Sequence, residues 1–454
     1  MLKKTDATQG PIIKAIITFS IPLILATIAQ NLFAIADKAV LGNMAGNVDV
    51  AAIGATGSIT SLIINGAVGL SSGTTIILAR YWGQRNEEKI RSTVDTALLT
   101  AVGLGVIVAI AGFFLTPIFL TATDCPAECY DGAMLYMRIY ISAAPITLFY
   151  NYGSAILRTI GDTQRPLIYI LTSGVVNVVL NVILCLVLPQ KVAAVAIATV
   201  ASKLVSSVLV ARRLSRLEED YIRVSFRKLR FDPSSFLRIF RFGIPTSISG
   251  LMFPLAGLQI VPAINSYGVA AIAGNSAASS IDSIAMAFTS GFGTATSTFV
   301  GQNIGARKVD RVKKSFWYSM GLNVLIGGSV GLMLFLCGRF LIGMIIGHDE
   351  LETIDYGMIR LAHISLFIFI QAINSSIGGA LQAFGYAALR SISNVAFTLG
   401  FRIVWMQFIY PLHKSFDTIM LCFTMSYVLN MLFYIVFFAV VYYRYTKKGI
   451  CKKI

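Results

Sequence analysis

Charge is the scarcest property of this chain. Asp, Glu, Lys and Arg make up 13% of its 454 residues, about half the share of a soluble domain. With 56% apolar residues, that shortage excludes an ordinary water-soluble globule. Histidine is rarer still: His348, His363 and His413 lie far apart, and the six cysteines have no metal-ligand spacing. Neither a zinc site nor a disulfide framework can be read from such a set. Cys185, Cys337 and Cys422 fall in apolar runs and read as small packing residues. Cys125 and Cys129 share one loop, where a local disulfide and chance proximity are both open, chance being preferred. The dyad alternation of outer-membrane strands is absent as well, which argues against a barrel.

What the chain does have is long apolar runs. Each is close to the roughly 20 residues that a helix needs to cross a ~30 Å hydrocarbon core. The runs predict spans at 12–40, 52–79, 94–120, 131–157, 166–188 and 192–212, and again at 237–264, 272–300, 314–346, 354–384, 389–411 and 416–444. The fold expected is an all-α integral membrane protein of about twelve transmembrane helices. The first run has no small-residue cleavage site after it and reads as a span, not a removable signal.

The net charge of +16 sits in alternate connections. Lys3, Lys4 and Lys14, then Arg80, Arg85, Lys89 and Arg91, then Arg158 and Arg165 mark one side. Arg212 to Arg230, Arg307 to Lys314 and the tail from Arg444 continue the series, while "TDCPAEC" (123–129) and "HDELE" (348–352) lie between. Cytoplasmic loops carry the Lys/Arg excess, so both termini are expected in the cytoplasm. Contact with anionic lipid headgroups accounts for the basic loops. No basic and aromatic platform suggests nucleic-acid binding.

The chain also repeats itself. "FSIPLILATIAQ" (19–30) aligns with "FGIPTSISGLMF" (242–253), pairing Pro22 with Pro245. Residues 58–91 align with 280–313, pairing Gly69/Gly291, Thr74/Thr296 and Arg85/Arg307; "ILRTIGDTQRP" (156–166) meets "ALQAFGYAALR" (380–390) at Gly161/Gly385. This predicts two six-helix bundles, 1–214 and 237–454, joined by a basic linker at 215–236. Six spans return the chain to the same side, so the bundles are related by a pseudo-two-fold axis along the membrane normal. Secondary transporters are often built so, with substrate held between halves that rock. A repeat kept for packing alone is the plainer alternative.

The residues then carry a family resemblance. "NLFAIADKAVLG" (31–42) with "VAAIG" beyond it, "SSGTTIILARYWGQRN", "ILRTIGDTQRP", "NVVLN" and "STFVGQNIGAR" occur in order over nearly the whole length. In these the chain resembles the multidrug and toxic compound extrusion (MATE) transporters, within a superfamily that includes lipid-precursor flippases. The resemblance implies an efflux antiporter driven by inward H⁺ or Na⁺ flow. It also implies that Asp37, late in the first span, is the coupling carboxylate.

Elementary chemistry agrees on what Asp37 could do. A carboxylate in a low-dielectric pocket takes up a proton more readily, whereas an intramembrane charge costs roughly 2.5–3.5 kcal/mol. Pro22 lets the same helix bend. The plainer reading puts Asp37 at the interface, with Lys38 snorkelling to headgroups. The resemblance adds the fifth and sixth spans to the cation pocket. There Asn177 and Asn181 sit at i, i+4 on one helical face, and Thr199 follows on the next span. Many members have Asp where this chain has Asn181. One acid instead of two favours H⁺ over Na⁺, which wants several oxygen ligands and added negative charge; Na⁺ at Asp37 remains the other candidate. For the asparagines, interhelical hydrogen bonding is the alternative.

The second half has Gln259 or Ile260 opposite Asp37, and Phe401 and Trp405 opposite the asparagines. Asn275, Ser279, Asp282, Met286 and Thr289 follow helical spacing. With Gln259, Gln371 and Asn374 they form the candidate substrate cavity, Gln382 extending the second polar line. Asp282 has an alternative as an ion pair with Arg402. The reaction class expected is export of small, amphiphilic organic cations by a monomer in a bacterial cytoplasmic membrane, with no cofactor. A flippase for a lipid-linked precursor is the second reading. An intramembrane enzyme is disfavoured, for no nucleophile–base or metal-binding constellation is present.

Overall fold

The computed structural model describes residues 5–44, 47–122, 125–219 and 221–448; the side chains of Asp37 and Lys38 lie outside the described set. Among the described residues all regular structure is helical. The first half runs α1 (Ile12–Met44), α2 (Asn47–Gln84), α3 (Glu87–Ala122), α4 (Ala127–Ser142), α5 (Ala144–Thr159), α6 (Gln164–Val187) and α7 (Lys191–Leu214). The second runs α8 (Pro233–Asn265), α9 (Val269–Gly305), α10 (Val309–Leu322), α11 (Gly328–Leu336), α12 (Gly338–Ile346), α13 (Leu351–Ile364), α14 (Ile368–Ala383), α15 (Ala387–Asn394), α16 (Phe401–Val404) and α17 (Phe416–Lys448).

Nine spans among the described residues are long and apolar enough to cross a bilayer. Two bent pairs, α4–α5 at 47° and α13–α14 at 43°, bring the number to eleven. The twelfth is α9, whose 37 residues are rich in Ala, Gly, Ser and Thr and largely buried. The twelve predicted spans are therefore present. Pro145 stands in the first turn of α5, where a missing amide costs nothing and the preceding helix must end. The ninth and eleventh spans contain π-helical turns at Asn323–Gly327, Val395–Gly400 and Trp405–Ile409.

Backbone conformation carries the repeat. Gly161 and Gly385 both have positive φ, +88° and +94°. Arg85 (54°) and Arg307 (56°) do the same at the other paired loop, a costly setting for a side chain. A Cβ on Gly161 would also run into the Thr5 carbonyl.

The chain packs as two units, one of residues 1–5 and 25–247, the other of 6–24 and 248–454. The division does not fall in the expected linker at 215–236. It falls inside α1 and α8, because the opening part of each helix packs with the other half's residues. In the second unit Phe19 meets Phe299 edge-on at 5.4 Å, and a Cβ on Gly291 would strike Ile24. In the first unit Gly69 and Gly73 of α2 lie on the backbone of Gly243 and Ser247 of α8, small residues spaced by four on both sides. Backbones approach this closely only where side chains are absent or short. Ser247 Oγ donates to the Gly66 carbonyl at 3.0 Å.

The segments that lead into these helices are tied down within the same units. Asn303 and Arg311 donate to the Ala7 carbonyl, Lys308 to that of Thr8, and Arg311 to Gln9 and Gly10, all at 2.9–3.1 Å. At the head of α8, Asp232 caps the helix: its carboxylate accepts from the Ser234 and Ser235 amides (3.0 and 3.1 Å). It also accepts from the Ser235 and Ser92 hydroxyls, each at 2.7 Å. The Ser235 hydroxyl first, then that of Ser92, pulls its pKa down to about 2. A depressed carboxylate contributes stability that is whole above pH ~4 and is lost as pH falls toward ~2. Asp232→Ala is expected to cost about 1 kcal/mol near neutrality. In acid titrations of thermal stability its deficit should shrink below pH ~4 and vanish only below pH ~2.

Candidate functional site

Two polar clusters lie inside the helices, one in each unit. In the first, Asn177 and Asn181 are buried on α6, and Asn181 Nδ2 approaches Asn177 Oδ1 at 3.5 Å. Helix α7 is packed antiparallel beside α6, and its register is set by Ser173 Oγ donating to the Ser202 carbonyl at 2.7 Å. That places Thr199 about level with Asn177. The Thr199 hydroxyl itself donates back to the Val195 carbonyl at 2.9 Å. On the other side the Phe33 ring fills the space over Gly174, where a Cβ would collide with it. As first and fifth spans, α1 and α6 run parallel, so residue 37, one turn beyond Phe33, is level with 177–181. The Asp37 carboxylate falls outside the described side chains.

Sequence reasoning passed over one charge here. Lys203 is the thirteenth of the 24 residues of α7. Its Nζ donates to Tyr140 Oη at 2.6 Å and stands 3.9 Å from that ring's centroid. Tyr140 stacks on Tyr136 at 5.9 Å. The signal was available: a lysine in mid-span is costly and marks function by default.

In the second unit Asn275, Ser279 and Asp282 do share a face of α9, as expected, and what they face is Arg360 of α13. Arg360 Nε donates to Asp282 Oδ2 at 2.9 Å, Nη1 to Asn275 Oδ1 at 2.9 Å and Nη2 to Ser279 Oγ at 3.4 Å. Ser365, at the bend between α13 and α14, donates to Asp282 Oδ1 at 2.6 Å. Asp282 is 3% exposed, so this carboxylate is closed over by its own partners. The alternative partner does not reach it: Arg402 bonds Ser426 Oγ at 3.2 Å and lies over the Phe423 ring at 4.2 Å. Arg360 was missed because "DELETIDYGMIRLAH" (349–363) reads as a charged helix end and not as a site.

The other candidates scatter. Met286 packs into apolar clusters with Ile281 and Tyr427. Asn374 Nδ2 donates to the Tyr427 carbonyl at 3.0 Å and approaches Gln371 Oε1 at 3.5 Å. Gln259 is exposed, whereas Ile260 beside it is buried. Where the first half has two asparagines, the Phe401 and Trp405 rings meet tilted at 51°, their centroids 5.6 Å apart. Asn323, in its π-turn, donates to the Ala372 carbonyl and to Ser376 Oγ, each at 3.0 Å. Cys125 and Cys129 are free thiols, Cys129 buried in an apolar cluster with Tyr136 and Met137.

The paired halves match known proteins half by half. The MatE family profile matches twice, over residues 22–183 and 245–408. The chain belongs to the MatE family. Two relatives are from Bacillus subtilis. "Probable multidrug resistance protein YoeA" is 27% identical over 359 residues, 77% of each chain. "Probable multidrug resistance protein YpnP" is 26% identical over 384 residues, 85% of each. Among solved structures, "Crystal structure of MATE in complex with MaL6" superposes with a TM-score of 0.90 at 21% identity, over 98% of this chain and 100% of that one. This MatE chain is thus a multi-pass membrane protein with a transporter fold, and its twelve spans are those of the family.

Proposed function

We propose that this MatE protein is a secondary active exporter of small, amphiphilic organic cations, driven by inward H⁺ flow through alternating access. It works as a monomer in a bacterial cytoplasmic membrane, both termini inside and its basic loops against anionic headgroups. The reading is supported by one observation above the others: helix register brings residue 37 of α1 level with Asn177 and Asn181 of α6 and with Thr199 of α7. A lone acid among amides and a hydroxyl suits a proton, which needs one lone pair, better than Na⁺, which needs a shell of oxygens. The relatives' names point to drug resistance, and the export direction is taken from them.

The test is uptake of a fluorescent organic cation into everted vesicles. An imposed pH gradient, acid inside, is expected to drive accumulation that a protonophore abolishes, with no requirement for sodium. Accumulation that needs a sodium gradient, or that ignores both gradients, would overturn the reading.

A second reading is export of an anionic, lipid-linked precursor. It is favoured by the cations set inside the helices, Lys203, Arg360 and Arg402, since an interior basic group attracts phosphate. In the same vesicles, movement of a short-chain lipid pyrophosphate without movement of the cationic dye would decide for it.

A further inference from the structure

A fixed cation stands on α7, beside α6 and the Asn177–Asn181 pair. Lys203 lies level with residue 172 of α6 by the Ser173–Ser202 register. It is four residues from Thr199 and therefore on the same face of α7. Residue 37 is level with 177–181, which sets it about one and a half to two and a half turns away, roughly 7–14 Å along the helix axes. The Lys203 ammonium is held by Tyr140, whose hydroxyl accepts its hydrogen bond at 2.6 Å. Tyr140 is in turn fixed against Tyr136. Half-buried and fastened, the ammonium cannot swing out to headgroups as an interfacial lysine does.

We propose that Lys203 is an ion-specificity residue: its fixed charge keeps Na⁺ out of the first lobe's coupling site and leaves the proton as the only coupling ion. The proposal rests on the assignment of Asp37, Asn177, Asn181 and Thr199 as that site. Sodium is bound by summed attraction to several oxygens. A fixed positive charge repels a second, ionic one and offsets the single acid's field in an interior where screening is weak. A proton is held by a covalent O–H bond and needs no shell. Lys203 acts through the site without being one of its ligands.

The experiment compares thermal unfolding of the detergent-purified protein in NaCl and in KCl at equal ionic strength. Wild type and Lys203→Arg are expected to unfold alike in both salts. Lys203→Met and Lys203→Gln should gain a sodium-specific rise in melting temperature, as a ligand that binds only the folded state produces. In everted vesicles an imposed sodium gradient should drive export about tenfold better in Lys203→Met than in wild type, within the usual range of coupling between sites.

Sodium-specific stabilisation of the wild type would overturn the proposal, as would its absence from both neutral variants. Loss of fold in both, with Lys203→Arg intact, would assign the charge to structure and overturn it too. Failure of the underlying site shows separately. If Asp37→Asn in the Lys203→Met background leaves the sodium effect unchanged, the sodium binds elsewhere and the site assignment falls.

Discussion

Vesicles carrying Asp37→Asn are expected to bind the cationic dye yet fail to concentrate it, with pH-driven accumulation down about ten- to a hundredfold. Asparagine keeps the shape and the hydrogen-bonding oxygen but has no proton to exchange. An ion gradient does work on a transporter only through a state-dependent difference in ion affinity. Shifting a two-state protein from 1:99 to 99:1 takes about 5.5 kcal/mol of such difference. The second half offers no replacement: Gln259 and Ile260 stand opposite Asp37, and Asp282 is occupied by Arg360 and Ser365. Dye binding measured on the purified protein separates the two roles. Wild-type accumulation by Asp37→Asn, or loss of dye binding along with transport, would count against Asp37 as the proton carrier.

The other large effect belongs to stability. Arg360→Met should destabilise the protein by about 3–5 kcal/mol, the usual cost of leaving one member of a buried ion pair alone. Three groups lose their partner at once, for Arg360 also holds Asn275 and Ser279. Restoring neutrality with Asp282→Asn in the same chain should recover much of the loss, since a pair replaced by uncharged groups is often nearly neutral. Arg402→Met is the comparison, because Arg402 bonds a hydroxyl and aromatic faces and strands no acid. Urea or thermal unfolding in bicelles reads all four proteins. A double variant as unstable as Arg360→Met would mean that packing by the guanidinium stem, not charge, is what counts.

The spans were legible because hydrocarbon thickness imposes one length on every crossing helix. The repeat was legible because paired turns keep the residues their backbone requires, as at Gly161 and Gly385. The first unit's polar group was half legible: the i, i+4 pair Asn177 and Asn181 stands out in an apolar run, while Lys203 beside it went unread among small residues. The second unit's cluster was read from one side only. Its α9 face was found, but Arg360 lies on a helix that turns at 365–367, and its charged opening resembles a loop. The π-turns at 323–327, 395–400 and 405–409 leave no periodic mark, since one widened turn shifts a helix face without changing its composition. Which neighbours α1 and α8 would choose was equally invisible, because an apolar side chain satisfies hydropathy against any apolar wall.

Those two helices have a mechanical consequence. Each changes packing unit at the third residue after its proline, between 24 and 25 in α1 and between 247 and 248 in α8. Pro22 and Pro245 leave the carbonyls of Thr18 and Arg241 without their usual helical amide, so each rod is weakened just before it passes from one body to the other. Stiffening either rod at its proline, as Pro22→Ala would, is expected to slow turnover while leaving affinity for cargo alone.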